Sequence, residues 1–362
     1  MISKNQILTA IRHIRRDGVC FGRGHGPDLV KKLSSPQTVY CGFDPTADSL
    51  HVGNLLAIIA LIHCQRAGHQ PIALVGGATG QVGDPSGTKK ERAMLGKEVL
   101  EGNVQGLMEN LERVFTNHAL YIWRDNRHLP DVNVESRLGT KEGLSFTEFT
   151  YQIFQAYDWL QLAKKHNCYI QLGGNDQQGN ITAGIELIDK ALGEKCFGLT
   201  IPLVTTSQGH KVGKSEGNAV WLDPKKTTPY ELYQYFFNVS EADLERFLHW
   251  FTFLPEEDIS RLLREHKLSP EKRKPQKLLA EKVLLLEGLI EAQRWTDAFF
   301  SPAPEALLHL SGEDMSRLFH SAPTTSLILE HGTTLLDLLM KIRSFDREGK
   351  KSYHVVRWIT PS

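Results

Sequence analysis

The run from Tyr40 to Asn54, YCGFDPTADSLHVGN, constrains this chain more than any other stretch. Residues Thr38 to Phe43 are rich in β-formers, Pro45 breaks them, and an apolar run, LLAIIALIHC, then continues to Gly68. The pattern predicts a strand, a turn, and a helix that starts near Asp48 to His51. Exposed N–H groups and the positive end of the helix dipole make such a junction a seat for phosphate. His51 and Asn54 share one face of the first turn and can both point at an anion held there. Gly53 leaves the backbone bare for a flat ligand. The competing reading of His51 is a capping or surface histidine, and only the rest of the chain can choose between them.

Later stretches repeat the arrangement. Ile72 to Val75 reads as a short buried strand followed by GGATGQVGDPSG, Gly76 to Gly87. This resembles a dinucleotide fingerprint, but Ala78 stands where the first glycine is required. Asp84, Pro85 and Ser86 break the chain, so no helix is predicted after it. Its glycines read as room for a ligand, with Asp84 presenting a carboxylate at the strand end. The spacing within SFTEFTYQIFQAYDWLQL, Ser145 to Leu162, predicts a helix with Tyr151, Gln155 and Asp158 on one face. That stripe is either solvated or the polar lining of a pocket.

Tyr169 to Leu172 reads as a strand ending in GGNDQQGN, and Ile181 to Leu192 as a helix closed by Gly193. Ligands of open parallel sheets sit at the carboxyl ends of strands. Gly174, Asp176 and Gln177 are therefore expected at the same crevice as His51 and Asp84. Leu199 to Val204 is a further predicted strand. GHKVGKSEGN, Gly209 to Asn218, misses the phosphate-loop pattern because Gln208 stands where a glycine is needed. Lys211 and Lys214, flanked by glycines, suggest a loop that closes cationic charge over a phosphate, against the plainer reading of a solvated basic turn.

Composition sets the outer limits. At 362 residues the chain is long enough for two or three domains. Its 42 basic and 42 acidic residues balance, so any nucleic-acid footprint must be local. The five cysteines form no CxxC pair, which reads as a reduced compartment without structural zinc, and no metal site is predicted. No apolar run reaches the roughly 18 residues of a membrane span, so a soluble protein without a membrane partner is expected. The first sixteen residues carry Lys4, Arg12, Arg15 and Arg16 and no acid, fitting either an organelle presequence or an ordinary amphipathic first helix.

From Thr228 on, amphipathic helices are predicted at Tyr230 to Phe237, Glu241 to Phe251, Glu256 to Glu265 and Gln276 to Ala298. Lys272, Arg273, Lys274 and Lys277, with Arg261, Arg264 and Lys267, form a basic cluster that is either a solvated face or a phosphate-binding one. The end of the chain reads as a helix from Asp337, a charged linker and a lone strand-like HVVRWI.

Taken together, YCGFDPTADSLHVGN, ALVGGATGQVGDPSG, SFTEFTYQIFQAYD, QLGGNDQQGNITAG, LTIPLVT and KVGKSEGNAVWL resemble, in order, the tyrosyl-tRNA synthetases of bacterial and mitochondrial type. HVGN resembles the HIGH signature of class I synthetases, and KVGKS their KMSKS. The resemblance implies an α/β fold, with a Rossmann-like parallel sheet as catalytic domain followed by an α-helical domain. Its boundaries would be an arm at 1–37, a catalytic domain at 38–222, an anticodon-binding-type helical domain at 223–330, and a linker with a truncated tail at 331–362.

It further implies that Tyr40 and Asp158 take the phenolic hydroxyl of tyrosine, that Asp84, Tyr151 and Gln155 hold its ammonium group, and that Gln171 also lines that pocket. Gly42, Asp44, Gly53, Gly174 and Asp176 would line the adenosine site, with Asp176 on the ribose, and Lys214 and Ser215 would also bind ATP. Thr46, His51, Asn54, Lys211 and Lys214 would meet the phosphates, and Gln177 would support the reacting carboxylate. The implied partners are L-tyrosine, ATP with Mg2+ as substrate, tRNA(Tyr) and a second copy of the chain in a homodimer. No tightly bound cofactor is implied, and the implied compartment is the mitochondrial matrix, the alternative being the cytoplasm.

The sequence departs from the family pattern in four places. Asn54 replaces the second histidine of HIGH, and Thr88 stands where a lysine is usual. The segment between Asn117 and Ser145 is shorter than the family's connecting insertion, which bears on dimerisation and tRNA placement. Of the family's C-terminal RNA-binding domain of S4 type, the resemblance implies only a remnant at Asp337 to Ser362. Three alternatives stay open at this point: a catalytically weakened isoform acting as an RNA-binding or regulatory protein, a small nucleotidyltransferase, and the tryptophan-specific relative. The pairing of Asp158 with Tyr40 argues for a phenol over an indole.

Overall fold

A computed structural model describes residues 20–22, 26–84, 95–115, 121–124, 146–201, 205–207, 214–215, 218–284, 286–300, 310–318, 324–328 and 355–359. The basic N-terminal sixteen residues, Thr88, Lys211 and most of the Asn117–Ser145 connector lie outside them.

The central strand β2 (Thr38–Phe43) is buried at every position but Gly42, as expected of a strand covered on both faces. Around it run β1 (Cys20–Gly22), β3 (Gln70–Val75), β4 (Tyr121–Arg124), β5 (Cys168–Gly174) and β6 (Phe197–Ile201), in the order β1-β6-β5-β2-β3-β4. Every neighbouring pair is parallel except the edge pair β1 and β6. The chain thus builds outward from β2 through β3 to β4, then returns to the other side of β2 for β5 and β6. The reversal falls between β2 and β5. At such a switch point the connections leave in opposite directions and open a crevice beyond the strand ends.

The helices of this part are α1 (Gly26–Lys32), α2 (Val52–Arg66), α3 (Ala78–Val82), α4 (Lys97–Phe115), α5 (Phe146–His166) and α6 (Gln178–Leu192). Under the sheet, Tyr40, Ile72, Leu74, Trp159, Leu160, Ile181, Ile185 and Ile188 form one buried cluster. Trp159 anchors it, because its indole N–H donates to the Cys168 carbonyl at 3.0 Å and its ring lies 5.8 Å from that of Tyr40. A Cβ added at Gly184 would run into the Trp159 ring, so that glycine is what lets α6 approach α5. Gly193 closes α6 in the left-handed conformation, as its position in the sequence predicts.

Three expectations need correction. The glycine-rich run after β3 does contain a helix, the five-residue α3, because its glycines allow a tight turn before Gly83 ends it at φ 79. Residues 121–124 form the strand β4, since pairing with β3 supplies the order that local pattern lacks. The predicted helix from Gln276 to Ala298 is two helices, α10 (Lys274–Val283) and α11 (Leu286–Phe300), because Leu284 takes an extended conformation at ψ 146. The strand predicted at Leu199 to Val204 starts at Phe197 and is seen to Ile201, and 202–204 lie outside the described residues. The terminal strand is not alone either, as Val355–Ile359 pairs in parallel with Thr324–Ile328.

Contacts divide the chain into two compact units, one of Met1–Thr227 with Glu231–Leu285 and one of Thr228–Tyr230 with Leu286–Ser362. In the first, α7 (Pro229–Phe237) from Glu231 onward, α8 (Glu241–Phe251), α9 (Glu256–Leu268) and α10 follow the sheet. Arg273 of the basic cluster is spent internally there: it donates to the Phe237 carbonyl at 2.5 Å and its guanidinium lies 4.4 Å from the Phe237 ring. In the second unit, Trp295, Ala298 and Leu310 make a small core with Tyr230 and Met315. No helix among the described residues is long and apolar enough to cross a membrane.

Candidate active site

The loop between β2 and α2 is held from behind by α4. Asn103 donates to the Pro45 carbonyl at 2.9 Å, and Asn110 accepts from the Leu50 N–H at 3.0 Å and from the Ser49 hydroxyl at 2.8 Å. Both asparagines are buried on one face of α4, where charge pattern alone gave no hint of them. So fixed, the loop delivers His51 to the N-cap of α2. The His51 N–H donates to Asn54 Oδ1 at 3.1 Å, so Asn54 ties down the helix start as a capping side chain does.

The stretch that follows KVGKS is laced to this same turn. Val52 N–H donates to the Val220 carbonyl at 2.9 Å, Leu222 N–H to the Leu50 carbonyl at 2.8 Å, and the ring of Trp221 lies 6.3 Å from that of His51. Just before it, Lys214–Ser215 pairs with Asn218–Ala219 as a two-stranded ribbon. On the other flank of the KVGKS sequence, Ser207 donates to buried Asp243 of α8 through both N–H, at 2.8 Å, and hydroxyl, at 2.9 Å. Asp243 also accepts from Ser240 at 2.8 Å and from Arg246. Burial pushes its pKa up, but these hydrogen bonds outweigh burial and hold it below the usual carboxylate range.

At the ends of β2 and β5 the predicted residues separate into two groups. Tyr40 and Gln171 stand side by side in register at the switch point, and both are buried. The Tyr40 hydroxyl and the amide oxygens of Gln171 and of Gln155 on α5 are buried without a hydrogen-bond partner. Burial pushes the Tyr40 phenol far above its ordinary range, with the neighbouring thiols of Cys168, Cys41 and Cys196 adding to it, so the hydroxyl stays neutral. Asp158 is buried beside Trp159, and Tyr151 is buried as well, while Ile153 and Tyr157 take the exposed side of α5. The polar stripe on α5 therefore faces inward. Orphaned polar atoms carry a desolvation cost that a fitting ligand would relieve.

The second group lies toward the strand tips. Tyr151 donates its hydroxyl to Asp44 Oδ2 at 2.8 Å. Gly42, the exposed position of β2, has open space above it, where a Cβ would meet nothing within 4 Å. Gly174 differs: a Cβ there would strike the Asp176 carboxylate, which folds back over the β5 tip. Gly83 turns the chain so that Asp84 enters from the β3 side, and Gln177 donates to it. Thr46 is exposed in the loop, and Gly53 is half-buried in the first turn of α2. Lys214 and Ser215 are placed in the ribbon by backbone alone, whereas Lys211 lies outside the described residues.

Among the described residues, no three histidine, cysteine, aspartate or glutamate side chains group as a metal site. Cys41, Cys64, Cys168 and Cys196 are free thiols, and burial pushes Cys41 and Cys64 each up to about 12, where they are inert.

A parallel sheet reversed at β2 and β5, with glycines and carboxylates at the strand tips and a helix N-terminus beside them, defines a Rossmann-type nucleotide-binding domain. Comparison with known proteins narrows the class. The family model described as tRNA synthetases class I (W and Y) matches residues 31–119 and 99–301. The mitochondrial tyrosine–tRNA ligase of Drosophila melanogaster is 47% identical over 354 residues, covering 86% of this chain and 76% of that protein. The tyrosine–tRNA ligase of Bacillus caldotenax is 44% identical over 347 residues, covering 86% of this chain and 81% of that protein. A C-terminally truncated mitochondrial tyrosyl-tRNA synthetase of Aspergillus nidulans superposes with a TM-score of 0.64 at 30% identity, over 80% of this chain and 94% of that one. The chain belongs to the tyrosyl-tRNA synthetase family of class I.

Proposed function

We propose that the chain works as a tyrosine–tRNA ligase through the two groups of residues just described. The observation that carries the reading is the trio of buried, unpartnered polar atoms on Tyr40, Gln155 and Gln171 beside buried Asp158. Tyr40 and Asp158 bind the phenolic hydroxyl; Asp84, Tyr151 and Gln155 hold the ammonium group, and Gln171 lines the same pocket. Rejection of phenylalanine follows, because it would leave the buried Tyr40 hydroxyl without a hydrogen-bond partner.

ATP, arriving as its magnesium complex, lies over Gly42 with its ribose at Asp176 and its adenosine along Asp44, Gly53 and Gly174. Thr46, His51, Asn54, Lys211, Lys214 and Ser215 take its phosphates. The tyrosine carboxylate, steadied by Gln177, attacks the α-phosphate in line and expels pyrophosphate. The tyrosyl group then passes to the terminal ribose of the tRNA. Positioning and charge stabilisation suffice for the first step, without a covalent enzyme intermediate. The helices from Pro229 onward are assigned to the anticodon arm of the tRNA. A homodimer in the mitochondrial matrix is the setting, the latter favoured by the mitochondrial relatives.

Tyrosine-dependent ATP–pyrophosphate exchange, followed by tRNA charging on the same preparation, tests the reading. Exchange without tyrosine, or none with it, overturns it. Subcellular fractionation and sedimentation check compartment and assembly.

A further inference from the structure

Asn180 has no place in the pockets assigned so far, yet it is buried in the first turn of α6 and aimed at two residues of the site. Its amide nitrogen lies 3.1 Å from Gln177 Oε1 and 3.4 Å from Asp84 Oδ1. The Gln177 nitrogen donates to the other oxygen of Asp84. The three side chains close a ring in which the sense of the Gln177 amide is determined. Reversed, it would set its oxygen against the Asp84 carboxylate and its NH2 against the NH2 of Asn180, two contacts between groups of like polarity. Held in this sense, Gln177 spends one amide proton on Asp84 and keeps the other for a ligand oxygen.

We infer that Asn180 is a positioning residue for amino-acid activation: it holds the Gln177 amide so that an N–H, not the carbonyl, meets the tyrosine carboxylate during attack on ATP. The inference rests on the role proposed above for Gln177. Asn180 itself touches no substrate. With Asn180→Ala, Asp84 alone holds the amide from one end, and part of the population turns the wrong way. With Asn180→Asp, the side chain keeps its shape but becomes an acceptor facing the Gln177 carbonyl oxygen, so that either sense of the amide sets its oxygen against a carboxylate and neither sense is held.

A double-mutant cycle on the whole chain tests this, with pyrophosphate exchange giving the activation rate, equilibrium dialysis giving tyrosine affinity, and melting temperature reporting the fold. Asn180→Ala is expected to lower the activation rate about tenfold, the worth of one hydrogen bond, with tyrosine affinity changed less than about threefold. In a Gln177→Ala background the same substitution is expected to change the rate less than about twofold. Asn180→Asp is expected to fall further than Asn180→Ala, toward the roughly hundredfold cost of losing an oriented donor. A packing role predicts the reverse order, because aspartate fills the space that alanine leaves empty. The inference is overturned if the full loss persists without Gln177, if Asn180→Asp outperforms Asn180→Ala, or if rate and affinity fall together. Should the alanine variant fail to fold, the isosteric aspartate variant decides alone: wild-type exchange overturns the inference and a collapse at unchanged tyrosine affinity supports it. Absence of exchange in the wild-type chain is a different failure, which removes the parent reading and this one with it.

Discussion

The hydroxyl of Tyr151, on α5, is hydrogen-bonded at 2.8 Å to the carboxylate of Asp44, at the end of β2. The two come from opposite pockets of the proposed reaction, one assigned to the amino acid and one to the nucleotide. A single bond thus spans the place where the carboxylate of one substrate must reach the α-phosphate of the other.

Tyr151→Phe is accordingly expected to weaken both substrates. Losing a hydrogen bond to a charged group is worth about 1.5–3 kcal/mol, so the KM for ATP should rise at least about tenfold along with that for tyrosine. Exchange kinetics with each substrate varied in turn will read this, and an unchanged KM for ATP would separate the two pockets.

Tyr40→Phe should move stability and selectivity in opposite directions. The Tyr40 hydroxyl is buried without a partner, so removing it relieves a desolvation cost and should stabilise the fold by about 1 kcal/mol. The preference for tyrosine over phenylalanine should drop in the same variant. Thermal melts and competitive exchange measure the two, and a variant that melts lower while keeping its selectivity would refute the assignment.

Lys214→Ala should lower the activation rate far more than it weakens tyrosine binding. The backbone around Lys214 is anchored on one flank to Leu50 and Val52 and on the other to Asp243, and the split is the one expected of the proposed contact with departing pyrophosphate. Equal losses in rate and in affinity would contradict that role.

Asp243 should mark the acid limb of stability. Its folded pKa lies below the ordinary carboxylate value, so its contribution is fully present above about pH 4, the unfolded value, and is lost as pH falls through the folded one. Asp243→Asn is expected to cost about 2 kcal/mol near neutrality, and the gap should close on acidification as the wild type protonates. Melts between about pH 3 and 7 check this, and a gap that widens toward low pH would have the sign wrong.

Local pattern made much of this legible. The start of α2, the polar stripe of α5 though not which way it faces, and the glycine closing α6 are written within single stretches, where periodicity and capping act over a few residues. Convergence of Asp84 with Gln177 followed from the rule that parallel sheets gather ligands at strand ends, and the two do touch. What escaped depends on partners far away in the chain. Tyr121–Arg124 becomes a strand only through β3, and the terminal strand finds its neighbour at Thr324–Ile328. Asn103, Asn110, Asn180 and Asp243 look like ordinary polar residues of amphipathic helices until the fold buries them against a loop or a carboxylate. The break at Leu284 carries neither glycine nor proline to announce it.

The reversal of the sheet between β2 and β5 has a consequence for synthesis on the ribosome. A nascent polypeptide exposes Tyr40 and Asp44 long before Gln171 and Asp176 have been translated, and until then the cleft has one wall. Products terminated before β5 therefore carry one wall of the cleft and not the other.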